Sequence, residues 1–344
     1  MSELSHRGRR ILYVAITEYI QSGEPVGSRT LAKRDGIDLS PATIRNELAD
    51  LEEAGFLHQP HTSSGRVPTT RGFRVFVDAL VQMREVSASD RAVVMQRLDK
   101  MQPGSDVLSE AGELLSALTG AAAVVTGPKP EEERLAQLRF MPLREGQLLA
   151  ILVTKGGAVQ NRVVAIPDGF DPEGVERIHN LLDELLQEAP LSLVAVRDEL
   201  ASEIGAAEGA VKSLREKARA IIDAAVDNDQ QPTSLVIEGQ DRLFDRPEFL
   251  DADKIRRYLR AFDDKGRLVD LLEETLAAGG VRVLIGSEAG LGDVEDVSII
   301  SSSFRKSGSL GVIGPTRMDY GKVVPLVEFT AKAVGQVLAN ADED

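Results

Sequence analysis

Apolar residues at Leu12, Ala15, Ile16 and Tyr19 recur at i, i+3, i+4 and i+7, which predicts an amphipathic helix that stops at Ser22-Gly23. "GEPVGS" then reads as a turn, with Ser28 as the N-cap of a short helix through Leu31 and Ala32 that ends near Asp35-Gly36. The third helix has the clearest limits. Ser40 caps it, Pro41 sits at the first helical position where its missing N–H costs nothing, and Gly55 supplies the left-handed residue beyond its end. Within it, Ile44, Leu48 and Leu51 mark the buried stripe. "FLHQ" and "GRVPT" follow as two short strands around the polar tip "PHTSSG", and Thr69 or Thr70 caps a helix through Val77 and Leu80. Three short helices and a hairpin predict a winged helix-turn-helix over residues 1–82, joined to the rest by a helical linker, 83–104.

Beyond residue 100 the pattern changes to mixed α and β. "GAAAVVTG", "LRFMPL", "QLLAILVT" and "AVQNRVVAIP" are four β-rich runs with turn signals at Arg144 to Gln147 and Lys155-Gly156-Gly157, which predicts an antiparallel meander. Residues 171–249 open with two helical stripes, Val175, Ile178, Leu182 and Leu185, then Val211, Leu214, Ala218 and Ile221, and close on a hairpin-like piece, "SLVIEGQDRLF". Helical periodicity returns through Ile255, Tyr258, Leu259 and Phe262 and again through Leu268, Leu272 and Leu276. Strands "VRVLIG", "DVSIISSSF" and "SLGVIG" then precede a last helix carrying Val323, Val327, Thr330, Val334 and Val337. Strands that resume after a helical block predict an α+β protein in which 171–249 is inserted between two parts of one mixed domain, 105–170 and 250–344. The leucine stripes of the insert are the expected dimer contact.

Composition narrows the chemistry. With no cysteine the chain forms no disulfide, thiolate or Cys-based metal site, and it suits a reducing cytoplasm. The N-terminal segment breaks its apolar run at Thr17 and Glu18, so neither a signal peptide nor a membrane span is expected there. Charge changes the picture more. Residues 1–80 hold 10 Lys/Arg and 10 Asp/Glu, so the remaining residues carry the whole formal charge of -15. An acidic body repels nucleic acid, which confines any DNA contact to the N-terminal end. There, no acidic residue occurs from Ala54 to Val77.

Opposite the buried stripe of the third helix lie Ala42, Asn46, Ala49 and Glu53, flanked by Thr43 and Arg45. This is a narrow ridge of the kind a major groove admits, where Asn46 can pair with adenine N6 and N7 and Arg45 can reach guanine or a phosphate. The hairpin tip adds hydroxyls from Thr62, Ser63 and Ser64, His61 for a phosphate or minor-groove contact, and Arg66, with Arg71 and Arg74 following. Such groups position a protein on the DNA backbone. Elsewhere the signals are weaker. "LIGSEAGLGD" and "GSLGVIGPT" lack the Lys-Ser/Thr ending of a phosphate-binding loop and read as strand-end turns. His58 and His61 have no thiols nearby to complete a metal site, His179 reads as a surface residue, and Asp319 is expected to pair with Arg317. No clustered polar set points to catalysis, and no cofactor or metal is expected.

"GEPVGSRTLAKRDGIDLSPATIRNELADLEEAGFLHQPHTSSGRVPTTRGFRVFVDAL" closely resembles the N-terminal domain of the bacterial heat-inducible transcription repressor family (HrcA), and "GVIGPTRMDYGKVV", residues 311–324, resembles that family's second signature. The resemblance spans essentially the whole chain, with residues 171–229 matching weakly. It implies a winged-helix domain, a GAF-like mixed domain and an inserted dimerising domain. It also implies a homodimer on an inverted-repeat operator of double-stranded DNA upstream of chaperonin genes, with the chaperonin favouring the active repressor. Matched motif positions are Ser40, Thr43, Arg45, Asn46, His61, Thr62, Ser63, Gly65 and Arg66. The candidate DNA-contacting set is therefore Ser28, Arg29, Ser40, Thr43, Arg45, Asn46, His61, Thr62, Ser63, Ser64 and Arg66. The alternative is a small-molecule-sensing regulator gated through the GAF-like domain.

Overall fold

The computed structural model describes residues 4–62, 64–80, 85–100, 107–127, 134–144, 146–155, 159–165, 172–188, 191–204, 207–227, 235–244, 252–292, 294, 296–304 and 308–343. The N-terminal part is built from α1 (His6–Ser22), α2 (Ser28–Leu31), α3 (Pro41–Glu53), β1 (Leu57–His58), β2 (Val67–Pro68) and α4 (Thr70–Leu80). Gly23 ends α1 in the left-handed region, where its N–H bonds the carbonyl of Tyr19. Ser28 is not a cap: Gly27 occupies that position with no side-chain bond, and Ser28 is the first helical residue, buried. At the start of α4 the cap is Thr69, whose hydroxyl accepts from Gly72 N–H at 3.1 Å.

The body follows. α5 (Ala88–Asp99) lies in the expected linker, part of which falls outside the described residues, and α6 (Val107–Thr119) leads into β3 (Ala122–Thr126). The chain then leaves through β4 (Leu135–Arg144), β5 (Gln147–Thr154), β6 (Val159–Ala165), α7 (Pro172–Glu188), α8 (Leu193–Ile204) and α9 (Gly209–Asp227). It returns with β7 (Leu235–Glu238), α10 (Gln240–Phe244), α11 (Ala252–Asp263), α12 (Lys265–Ala278), β8 (Val281–Ile285), a 3-10 turn (Gly286–Ala289), β9 (Val297–Phe304), β10 (Gly308–Pro315) and α13 (Tyr320–Glu343).

Five strands form one antiparallel sheet in the order β7-β3-β10-β9-β8. Alternation along β3 sends Ala123 and Val125 to a core shared with α6 and α13, and Ala122 and Val124 to a second core shared with α11 and α12. Both faces are covered, so β3 reads as a nearly continuous apolar run, and the serines of β9 are buried with it, among them Ser298, Ser301 and Ser302.

A separate three-stranded sheet, β4-β5-β6, carries α7, α8 and α9 on one face. Its core includes Phe140, Leu148, Leu152, Ile178, Leu182, Leu200 and Ile221. Four expectations change here. The meander has three strands, because β3 belongs to the other sheet. The excursion from that sheet therefore includes β4 to β6 and closes before β7, rather than beginning after residue 170 and ending at 249; strand-turn-strand spacing does not show which sheet a run joins. "LVIE" and "QDRLF" are a strand and a short helix, not a hairpin. The leucine stripes of α7 and α9 are packed inside this chain, with Leu214 half-buried and only Val211 exposed, so they are not free for a partner. The Gly156-Gly157 turn lies outside the described residues.

His179 is not a simple surface residue. Its Nε2 accepts from the Phe140 N–H at 2.9 Å, and its ring stacks on Phe140 at 6.3 Å. Arg139 on the same strand makes two hydrogen bonds, 2.7 and 2.8 Å, to Asp183 of α7. Asp319 does not take Arg317 as its partner: its carboxylate accepts from Lys322 N–H and caps α13. Arg317 reaches the other way, its guanidinium 5.8 Å from the centre of the Tyr19 ring in α1.

Candidate nucleic-acid interface

The local chemistry of α3 sets its two faces. Ser40 Oγ accepts from Thr43 N–H at 3.1 Å and lies 2.9 Å from Thr43 Oγ1, so both hydroxyls serve the cap. Ile44, Leu48 and Leu51 are buried against α1 and α2, and Glu47 is buried with its carboxylate on Arg7. The opposite ridge of Ala42, Arg45, Asn46 and Ala49 is exposed. Among the described residues neither Arg45 nor Asn46 has a hydrogen-bonding partner in the chain, so both present their full donor and acceptor sets outward.

β1 and β2 pair antiparallel through Leu57 opposite Pro68 and His58 opposite Val67. Two residues a side make a weak ladder, and three further contacts support it. Val26 forms a bridge with Arg66, with mutual N–H to carbonyl bonds of 2.8 and 2.9 Å. Gln59 Nε2 donates to the Thr62 and Ser64 carbonyls at 3.1 and 2.8 Å, closing the tip from inside. Gly65 lets the returning strand pass Pro25: a Cβ there would stand 2.5 Å from the Pro25 carbonyl oxygen.

Of the predicted set, Arg29, Ser40, Arg45, Asn46, His61 and Thr62 are exposed. Ser40 and Thr43 are taken up by the α3 cap. Ser64 Oγ accepts from His61 N–H at 3.0 Å and bonds the His61 carbonyl at 2.7 Å, so it shapes the turn. Ser28 is buried, and Ser63 lies outside the described residues. Arg66 is only 19% exposed and its guanidinium meets Glu52 of α3 at 3.1 Å, which ties the hairpin to the helix.

Arg71 and Arg74 are not free phosphate ligands either. Arg71 donates to the Ala54 carbonyl at 2.9 Å, covering the C-terminal end of α3, and lies 4.5 Å from the centre of the Phe56 ring. Arg74 donates to the Val283 carbonyl at 2.7 Å and pairs with Glu288, joining α4 to the body. Phe73 and Tyr320 pack at 6.1 Å beside this contact. Sequence reasoning missed Gln59 and Val26 and gave these two arginines to phosphate instead of to their partners within the chain. For Gln59 there was a signal, since its amide precedes a Pro-x-x-Ser turn and carries two donors.

A model described as "HrcA protein C terminal domain" matches residues 105–324. The "Heat-inducible transcription repressor HrcA" of Sorangium cellulosum (strain So ce56) is 46% identical, over 98% of this chain and 99% of that one. The protein of the same name from Syntrophobacter fumaroxidans is 38% identical over the full length of both. The chain belongs to the HrcA family. A solved structure titled "Crystal structure of a hypothetical protein at 2.2 A resolution" shares the fold with a TM-score of 0.64, at 23% identity over 98% of this chain and 99% of that one. Membership agrees with both quoted signatures, and the second, residues 311–324, closes the matched segment. In this HrcA family member no helix among the described residues is long and apolar enough to cross a membrane.

Proposed function

We propose that the chain is a dimeric, sequence-specific DNA-binding repressor of heat-shock chaperone operons, acting as a regulator and not as an enzyme. In this reading α1 to α4 and the hairpin are a winged helix-turn-helix, and the five-stranded sheet with its helices is the GAF-like domain. The observation that carries it is the exposed α3 ridge, with Arg45 and Asn46 unengaged beside a hairpin tip free of carboxylates, in a chain whose full-length relatives are named heat-inducible repressors. Asn46 reads adenine in the major groove, Arg45 reaches guanine or phosphate, and Arg29, His61 and Thr62 meet the backbone. Ser40, Thr43, Ser64 and Arg66 act indirectly, by holding the helix start and the tip in place.

Two copies are needed because an inverted repeat presents two half-sites, and the second reader then binds at a raised local concentration. The surface that supports pairing is the outer face of β4-β5-β6. With α7 to α9 on one face, Met141, Val159 and Val163 are exposed on the other, and Leu149, Ile151 and Val153 share that face by register. The operator is an inverted repeat upstream of chaperonin genes, and the chaperonin favours the active repressor.

The test is anisotropy or gel-shift titration of the full chain on DNA from upstream of its own organism's chaperonin operon, against the same DNA with scrambled half-sites. Asn46→Ala is expected to cost about 1–3 kcal/mol on the intact operator and little on scrambled DNA. Equal losses on both would remove Asn46 from the reading role.

A further inference from the structure

We infer that the cleft between α11, α12 and the loop after the 3-10 turn binds a small phosphate ester. The cleft has a volume of about 230 Å³ and is lined by Arg257, Arg260, Arg267 and Asp264 around an apolar floor that includes Leu291 and Val294. Leu291 and Val294 are both buried, 6% and 4% exposed, so the floor is fixed by the core beneath it.

Each arginine is placed by the fold. Tyr258 and Phe262 turn the apolar side of α11 into the core, and the Tyr258 hydroxyl donates to Asp296 at 2.8 Å, pinning the helix to the loop. Arg257 and Arg260, three residues apart, lie side by side along α11 at the cleft rim. From the opposite side Arg267 Nε donates to the Gly290 carbonyl at 3.3 Å, which holds it at the cleft, while its Nη1 lies 3.9 Å from Glu274. The carboxylate of Asp264 is committed as the cap of α12, accepting from Arg267 N–H at 3.1 Å.

Charge makes this arrangement unusual in this chain. Acidic residues exceed basic ones, 55 against 40, and several arginines of the body have acidic partners, among them Arg139, Arg215, Arg256 and Arg282 and, at a looser 3.9 Å, Arg267 with Glu274. Arg257 and Arg260 have none among the described residues, although both face the same cleft. The C-terminal dipole of α11 accounts for one cation in its last turn, not for three that converge from two helices. Planar guanidinium forks match the oxygens of phosphate in pairs, and an apolar floor suits the carbon skeleton of a small ester. The volume lies below the roughly 300–1,000 Å³ of pockets that enclose drug-sized ligands, which favours a compact metabolite. Nothing in this inference depends on the DNA-reading assignment.

The experiment is calorimetric titration of the full chain with inorganic pyrophosphate at ionic strength held constant with sodium chloride. One saturable site per chain is expected, bound more tightly than citrate under the same conditions. Replacing both rim residues, Arg257→Gln with Arg260→Gln, is expected to weaken binding by about tenfold or more while leaving the melting temperature without anion unchanged. Arg45→Gln in the N-terminal helices keeps the site, which separates it from non-specific attraction to the DNA-reading end. Absence of saturable heat, undiminished affinity in the double variant, or an equal loss in Arg45→Gln overturns the assignment. Citrate binding as tightly as pyrophosphate overturns the choice of phosphate.

Discussion

Arg45 and Arg66 both lie near the exposed ridge of α3, but their surroundings give them different work. Arg45 is exposed with no partner among the described residues, whereas Arg66 is mostly covered and paired with Glu52. Replacing Arg45 with alanine is expected to lower the slope of log K against log salt by about one on any duplex, since each neutralised phosphate contributes about 0.9. Arg66→Ala is expected to leave that slope nearly unchanged and to lower thermal stability, because a charge already matched inside the protein releases few counterions. Gly65→Ala puts a methyl against the Pro25 backbone and is expected to cost about 1–3 kcal/mol, measured by urea unfolding. His179 supplies a pH dependence. Burial, and then the neighbouring Arg139 charge, hold its pKa below the ordinary value of about 6.5. The unfolded chain therefore takes up this proton first as pH falls. The stability His179 contributes is complete above about pH 6.5 and declines below it. Melting temperatures between pH 7.5 and 5 should fall more steeply for the natural chain than for His179→Gln.

At the scale of elements, the three helices and the hairpin were legible because each carries its own local signal. Ser40, Pro41 and Gly55 mark the limits of α3 without reference to anything distant, and the β1–β2 register follows from the apolar residues on either side of the tip. What local signals did not carry was partnership. "GAAAVVTG" has the same alternation and turn spacing whichever sheet it joins, and only long-range pairing with β10 and β7 assigns β3. The stripes of α7 and α9 look the same whether they meet a second chain or their own sheet, and here they meet β4 to β6. Arg71 and Arg74 likewise read as phosphate ligands by type, yet their partners are a carbonyl seventeen residues back and a carboxylate in a distant turn. Two substitutions separate the faces of the three-stranded sheet. Leu182→Ala opens a cavity in the buried face and is expected to destabilise the chain by about 2–5 kcal/mol. Val163→Glu, on the open face, is expected to leave the fold intact and shift sedimentation from dimer toward monomer.

Across the whole molecule, the N-terminal part, with no acidic residue from Ala54 to Val77, is attached to a body that carries the whole net negative charge, which in the proposed reading keeps non-specific DNA away. The attachment is not a flexible tether: the core that begins at Ile11 in α1 continues through Phe73 and Phe76 to Tyr320 and Val327 in α13. Arg74 with Glu288 and Val283 reinforces it from the side. The body therefore sets the angle at which α3 is presented, and in the proposed dimer the pairing of two bodies would set the spacing of the two α3 helices. The most direct measurement is the affinity of the full-length protein, at fixed moderate salt and with chaperonin present, for its own chaperonin-operon DNA carrying both half-sites, one half-site, or neither. Cooperative binding of two chains to the intact repeat, at least a thousandfold tighter than to DNA with neither half-site, is the predicted result. Equal affinity for all three duplexes would contradict the account.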